Sequence, residues 1–316
     1  MRQSVSSVLV LCLAACACFA QHTEHTPAET KQPRPGILLF AHGGRVTTWN
    51  EEVRHIADHV DLKIPTEVAF GMATRSSLQA GIDRLAARGV TEIIAVPLFI
   101  SSHSSVIDST SYLLGLRSEA PKDLKLFAAM DHGAGMDMSH MEHMKANPEA
   151  MTPVHSPVPV RMTSALDHHP IVADILVDRA ATISQDPAKE VVVLVAHGPV
   201  EDHENQLWLK EMGMLADGMK KKASYADIIY LTVRDDADKN VRDQATQELR
   251  KKVEDITSSG KAALVVPLLL SYGGIENGIR DRLKGLVYKM PAQALLPDSR
   301  AVDWVFDMEH EALLQK

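Results

Sequence analysis

The sequence predicts an α/β fold made of two duplicated units, each a parallel sheet flanked by helices, with a cleft between them. Apolar runs of strand length alternate with helical stretches, the pattern of parallel strands covered on both faces. The run Gly36-Ile37-Leu38-Leu39-Phe40-Ala41-His42-Gly43 returns as Val191-Val192-Val193-Leu194-Val195-Ala196-His197-Gly198. A second echo, Val96-Pro97-Leu98 and Val266-Pro267-Leu268, comes in the same order. An internal duplication accounts for both pairs.

A chain of 316 residues, 45% hydrophobic and 23% charged, is long enough for two cores. The net charge of −8 is spread along the chain, and its longest basic run is Lys220-Lys221-Lys222, so no nucleic-acid footprint is present. Residues 1–20 read as an export signal: Arg2 supplies the positive start, an apolar core follows, and Cys18-Phe19-Ala20 ends on a small residue. The apolar run is short for a membrane span. Leu13-Ala14-Ala15-Cys16 also resembles a lipobox, so the expectation is a periplasmic protein, membrane-anchored only if Cys16 is lipidated. The three cysteines, Cys12, Cys16 and Cys18, all fall in this segment. Any metal in the mature body therefore has His, Met, carboxylate or water as ligands.

Residues 21–35 form a polar, proline-bearing linker. The first unit, 36–129, is expected to run strand 37–41, helix 49–60, strand 66–70, helix 75–88, strand 92–97, helix 105–116 and strand 124–129. The stretch 130–160 breaks the alternation and reads as an insert rich in Met, His and Pro. The second unit, 161–290, predicts helices at 170–184, 203–222, 239–257 and 275–288 around strands 190–195, 227–232 and 263–268. In the tail, 291–316, Trp304 and Phe306 are expected to pack back on the body.

His42 follows the first strand, and His103, in Ser101-Ser102-His103-Ser104-Ser105, follows the third. Both sit at the carboxyl edge of a parallel sheet, where open α/β sheets place ligands. Two imidazoles there can hold a first-row divalent ion and leave positions open. A single histidine at a strand end is ordinarily a hydrogen-bonded structural residue; the matched positions of this pair favour a site.

These residues resemble the class II tetrapyrrole chelatases, particularly the sirohydrochlorin cobaltochelatase type, relatives of the ferrochelatases. The likeness spans roughly 36–118 and 168–290 and rests on three stretches. They are Ile37-Leu38-Leu39-Phe40-Ala41-His42-Gly43-Gly44-Arg45, Val96-Pro97-Leu98-Phe99-Ile100-Ser101-Ser102-His103, and Leu166-Asp167-His168-His169-Pro170. The resemblance implies chelatase-like domains and a tetrapyrrole substrate, with His42 and His103 binding the metal and helping to deprotonate the ring. The second copy departs from the pattern, since Gly273 stands where His103 would fall. His197 and Glu276 are similar to the His and Glu of the ferrochelatase second half and are secondary catalytic candidates. Their plainer reading is a histidine left over from the repeat and a glutamate favoured at a helix start.

Insertion needs a metal that sheds water and a ring that loses two N–H protons. Neutral imidazoles hold a borderline ion without trapping it, and a base near working pH takes the protons. Co2+ is the expected metal substrate, with Ni2+ or Fe2+ next. In the insert, Met136, Met138, Met141 and Met144 with His132, His140 and His143 offer soft and borderline ligands suited to Cu or Zn. Two functions stay open: an exported chelatase, and a non-catalytic periplasmic metal or tetrapyrrole carrier that works through the Met/His loop. No glycine-rich nucleotide motif is present.

Overall fold

The computed structural model describes residues 33–44, 46–130 and 147–314. Two parallel sheets organise it. The first comprises β1 (Pro35–Ala41), β2 (Thr66–Phe70), β3 (Glu92–Leu98) and β4 (Val160–Met162), in the order β2-β1-β3-β4. The second comprises β5 (Glu190–Ala196), β6 (Asp227–Thr232) and β7 (Ala262–Leu268), in the order β6-β5-β7. The same order twice, first strand central, is the duplication in three dimensions. Even the fourth position is echoed, since Lys289 makes a parallel bridge to Leu264 of β7 where β4 pairs with β3.

Strand alternation divides the core. Ile37, Leu39 and Ala41 of β1, with Ile94, Val96 and Leu98 of β3, share one cluster with Val192, Leu194 and Ala196 of β5 and Leu264, Val266 and Leu268 of β7. Helices α1 (Thr47–Asp61), α5 (Pro170–Ala181), α6 (Asp202–Lys220) and α9 (Arg300–Leu314) fill this shared layer. The opposite residues, Leu38, Phe40, Ile93 and Ala95, pack outward under α2 (Arg75–Ala87), α3 (Ser105–Leu113) and α4 (Leu124–Met130). Val191, Val193, Val195 and Val265 do the same under α7 (Lys239–Ser258) and α8 (Ile275–Arg282). Burial on both faces is why these strands read as unbroken apolar runs. Helix α1 instead buries Val53, Ile56, Ala57 and Val60, spaced for one helical face.

Three expectations change. The stretch at 124–129 is helix α4, not a strand: Leu124, Phe127 and Ala128 are buried at helical spacing while Leu126 stays exposed. A short apolar run carries too little periodicity to separate the two states. The sheet's last strand comes instead from β4, and the end of the expected insert belongs to the body. Val154 N–H donates to Leu113 C=O at 2.7 Å, and Gln79 exchanges hydrogen bonds with the His155 backbone, both 2.8 Å. Helix α8 ends at Arg282, ahead of Gly285 with its φ of +86°.

The tail packs back as expected, with Trp304 fully buried on α9. Buried Arg179 anchors the approach to α9, donating to the carbonyls of Ala294, Leu295 and Pro297 at 2.6, 2.9 and 2.9 Å. The expected export signal and the expected linker before Pro33 lie outside the described residues, as do Arg45 and, in the expected insert, His132, Met136, Met138, His140, Met141, His143 and Met144. Among the described residues, no helix is long and apolar enough to cross a membrane.

Candidate functional site

Both sheets reverse direction at their central strand: the chain leaves β1 toward β2 on one side and returns to β3 on the other. Such a switch point opens a crevice at the carboxyl ends of the strands. His42 is the first residue after β1, and His197 holds the same place after β5.

The His42 loop is held by local contacts. Asn50 clasps Gly44 from both sides, accepting from its N–H and donating to its C=O, each at 2.9 Å. Gly43 has a φ of +69°, and a Cβ there would come within 2.9 Å of the Phe70 ring. Glycine is therefore required on both conformational and steric grounds. His42 Nδ1 lies 2.5 Å from Gly43 C=O, so it carries the proton and donates. The Nε2 lone pair is left for a ligand, the arrangement by which a metal-binding imidazole has its tautomer fixed. The exposed His42 ring stacks on Trp49, whose indole would touch a Cβ on Gly44 at 2.4 Å.

The His103 loop is braced by the segment that opens the second half. The Asp167 carboxylate accepts from Ser102 N–H and Ser102 Oγ, both at 2.6 Å, and Ser102 Oγ accepts from Ala165 N–H at 2.8 Å. Ser101 Oγ accepts from His103 N–H at 3.1 Å. From α6, Trp208 Nε1 donates to His103 C=O at 2.7 Å. One turn further, Glu211 places Oε1 3.9 Å from His103 Nε2, while its Oε2 accepts from His168 Nδ1. His169 caps α5 rather than facing this group, and burial lowers its pKa against the pull of Asp307 and Glu311.

The second copy's candidates go separate ways. His197 is held at Nδ1 by Asp235, 3.3 Å, and at Nε2 by Asp236, 2.9 Å. Burial disfavours its charge, but hydrogen bonds and attraction from the two aspartates outweigh it and push the pKa up to about 9. Arg282 pairs with Asp235 behind them. With both ring nitrogens engaged, His197 is a fixed imidazolium at neutral pH rather than a free metal ligand. Glu276 is not its partner. That carboxylate turns back to accept from Gly273 N–H at 3.1 Å and Gly274 N–H at 2.8 Å, capping the start of α8.

His42 and His103 thus leave adjacent strands whose last residues, Ala41 and Leu98, are paired in register. Their imidazoles take different neighbours. Among the described residues, no group of three or more His, Cys, Asp and Glu side chains is arranged to hold a metal ion. The two halves meet around Trp49 and Glu52, one turn apart on α1. A Cβ on Gly273 would lie 3.6 Å from the Trp49 ring, so a longer side chain there competes with the indole for space. Burial raises the Glu52 carboxyl pKa against a hydrogen bond with Ser271. Among the described residues, the buried Glu52 Oε2 and Trp49 Nε1 have no hydrogen-bond partner. Trp49, Asn50, Asp167, Trp208 and Glu211 were not singled out by sequence. Their only signal was proximity to the His42 motif for the first two, and membership of the quoted Asp167-His168-His169 stretch for the third.

Residues 36–183 match the CbiX family model. A sirohydrochlorin cobaltochelatase from Methanothermobacter thermautotrophicus is 33% identical over 92 residues, 28% of this chain and 64% of that protein. One from Methanococcoides burtonii is 27% identical over 151 residues, 47% of this chain and 95% of that protein. The solved structure of SirB from Bacillus subtilis with Fe3+ matches at a TM-score of 0.56 and 15% identity, over 88% of this chain and 95% of that one. A relative covered almost end to end by under half of this chain is what a duplicated chain gives. The chain spans less than two thirds of the first of these relatives, and the comparisons show a likeness to sirohydrochlorin chelatases that the strand order and the motifs at His42 and His103 share.

Proposed function

We propose that the protein is an exported chelatase that inserts a divalent metal, cobalt first and then nickel or iron, into a sirohydrochlorin-like tetrapyrrole. The single observation that carries this reading is His42: an imidazole at the switch point of β1, its Nδ1–H bound to Gly43 C=O, so that the lone pair for a metal is on Nε2. His103, at the end of the neighbouring strand, is the second metal donor. In the overall step a dication enters the ring and two pyrrole protons leave, so charge balances without a redox change. Histidine nitrogens hold the ion loosely enough for the ring to take it. The cobaltochelatase names of the two relatives support cobalt. Residues 1–20 support export to the periplasm, and the Met/His stretch 130–144 would bind Cu or Zn there.

The test is absorption spectroscopy on mature protein with Co2+ and sirohydrochlorin. Insertion should run faster than the uncatalysed control, and His42→Ala and His103→Ala should each remove the acceleration. No acceleration with Co2+, Ni2+ or Fe2+ would overturn the catalytic reading in favour of a carrier on the same scaffold. The specific ground for that second reading is export, which separates the protein from a ring made in the cytoplasm.

A further inference from the structure

We propose that Glu211, on α6 of the second half, is a ligand of the metal substrate opposite His103, and that His168 is the positioning residue that holds it. The proposal rests on the chelatase reading and sets opposite His103 a carboxylate from the other copy.

Three observations converge on Glu211. Its side chain is 15% exposed, between His103 at 36% and His168 at 54%, so a carboxylate is withdrawn from water where two imidazoles are not. Among the described residues its ion pairs are with these two histidines, and no lysine or arginine joins them. A carboxylate so placed costs free energy unless a positive charge faces it, and a metal ion supplies that charge. The gap between Glu211 Oε1 and His103 Nε2, 3.9 Å, is too long for a hydrogen bond. It suits an ion bonded to both: with metal–ligand bonds of about 2.1 Å, donor spacings run from about 3.4 Å at a tetrahedral angle to about 4 Å at wider ones.

The remaining contacts fix the geometry. Glu211 Oε2 is occupied by His168 Nδ1–H, which leaves Oε1 as the donor toward His103. Outer partners of this kind orient ligands and tune their basicity. Trp208, three residues earlier on the same helix face, ties α6 to the His103 carbonyl at 2.7 Å. Asp167, adjacent to His168, grips Ser102, adjacent to His103, so both histidines are carried by one braced pair of loops. A small number of protein donors leaves coordination positions for the nitrogens of the incoming ring, as a metal that must be handed on requires.

The experiment is a Co2+ titration of the full mature protein without tetrapyrrole, read by affinity and by the visible cobalt absorption band. Glu211→Gln, which keeps shape and hydrogen bonding, should weaken binding at least about tenfold and shift the band. Glu211→Asp guards against a folding artefact and should retain the band at reduced affinity. His168→Asn, whose amide can donate from nearly the same place as Nδ1, should stay within about threefold of the parent, whereas His168→Ala should fall with Glu211→Gln. Unchanged affinity and spectrum in folded Glu211→Gln would overturn the proposal while leaving chelation intact. Cobalt binding that depends on Glu211, in a protein that accelerates no insertion, would uphold the proposal and overturn the catalytic reading.

Discussion

The His42 imidazole and the Trp49 indole lie face to face, their centroids 5.6 Å apart and their planes 7° from parallel. The stack fixes the plane of a ring whose tautomer is already fixed by Gly43 C=O, so Nε2 points one way. Among the described residues the buried Trp49 N–H also has no partner, a cost of about 1–3 kcal/mol. Trp49→Phe keeps an aromatic face and removes that N–H, and its stability in urea unfolding should stay within about 1 kcal/mol of the parent. Trp49→Ala opens a cavity beside Gly44 and should lose about 3 kcal/mol, with metal insertion slowed roughly tenfold. Equal loss of rate in both variants would show that the stack does not orient His42.

The strands were legible because burial on both faces writes them as apolar runs, and His42 and His103 because each follows such a run directly. The helix α4 was not legible, since seven residues hold barely two turns of phase. The bracing of the site was hidden for a different reason. Ser102 and Asp167 are 65 residues apart, and Trp208 meets His103 across 105, so their roles arise only once the two halves pack together. His197 shows the converse: its motif repeats that of His42, but the following loop carries Asp235 and Asp236, and those neighbours turn a free imidazole into a held cation.

That difference between the copies has a pH signature. The His197 pKa is raised from the usual 6.5 to about 9, so its stabilisation is fully present below pH 6.5 and is lost as pH rises through about 9. The full shift corresponds to about 3 kcal/mol, reduced to on the order of 2 because the Asp236 side chain is 65% exposed and screened. Asp235 and Asp236 are both lowered, so their contributions hold above the ordinary carboxylate range and fade as pH falls through it. Urea unfolding from pH 6 to 10 should show stability declining across the upper limb. His197→Gln should flatten that limb, and an unchanged decline in the variant would assign it to other groups.

Asp167 tests whether the His103 loop must be preorganised. Its carboxylate accepts two hydrogen bonds from Ser102, and its backbone has a φ of +41°, a left-handed conformation that asparagine tolerates and alanine does not. Asp167→Asn therefore isolates the side-chain chemistry: one oxygen still accepts from Ser102 N–H, but the amide now faces Ser102 Oγ as a donor and strands the hydroxyl proton. The expected cost is about 1–2 kcal/mol in unfolding and a several-fold loss of Co2+ affinity, because the histidine is no longer held in one place. Asp167→Ala loses both hydrogen bonds and pays the backbone strain, so about 3 kcal/mol or more is expected. Asp167→Gly, free of strain but equally without acceptors, should recover part of the stability and none of the metal affinity. If Asp167→Gly restores affinity along with stability, the loop's backbone path alone positions His103, and the carboxylate is dispensable.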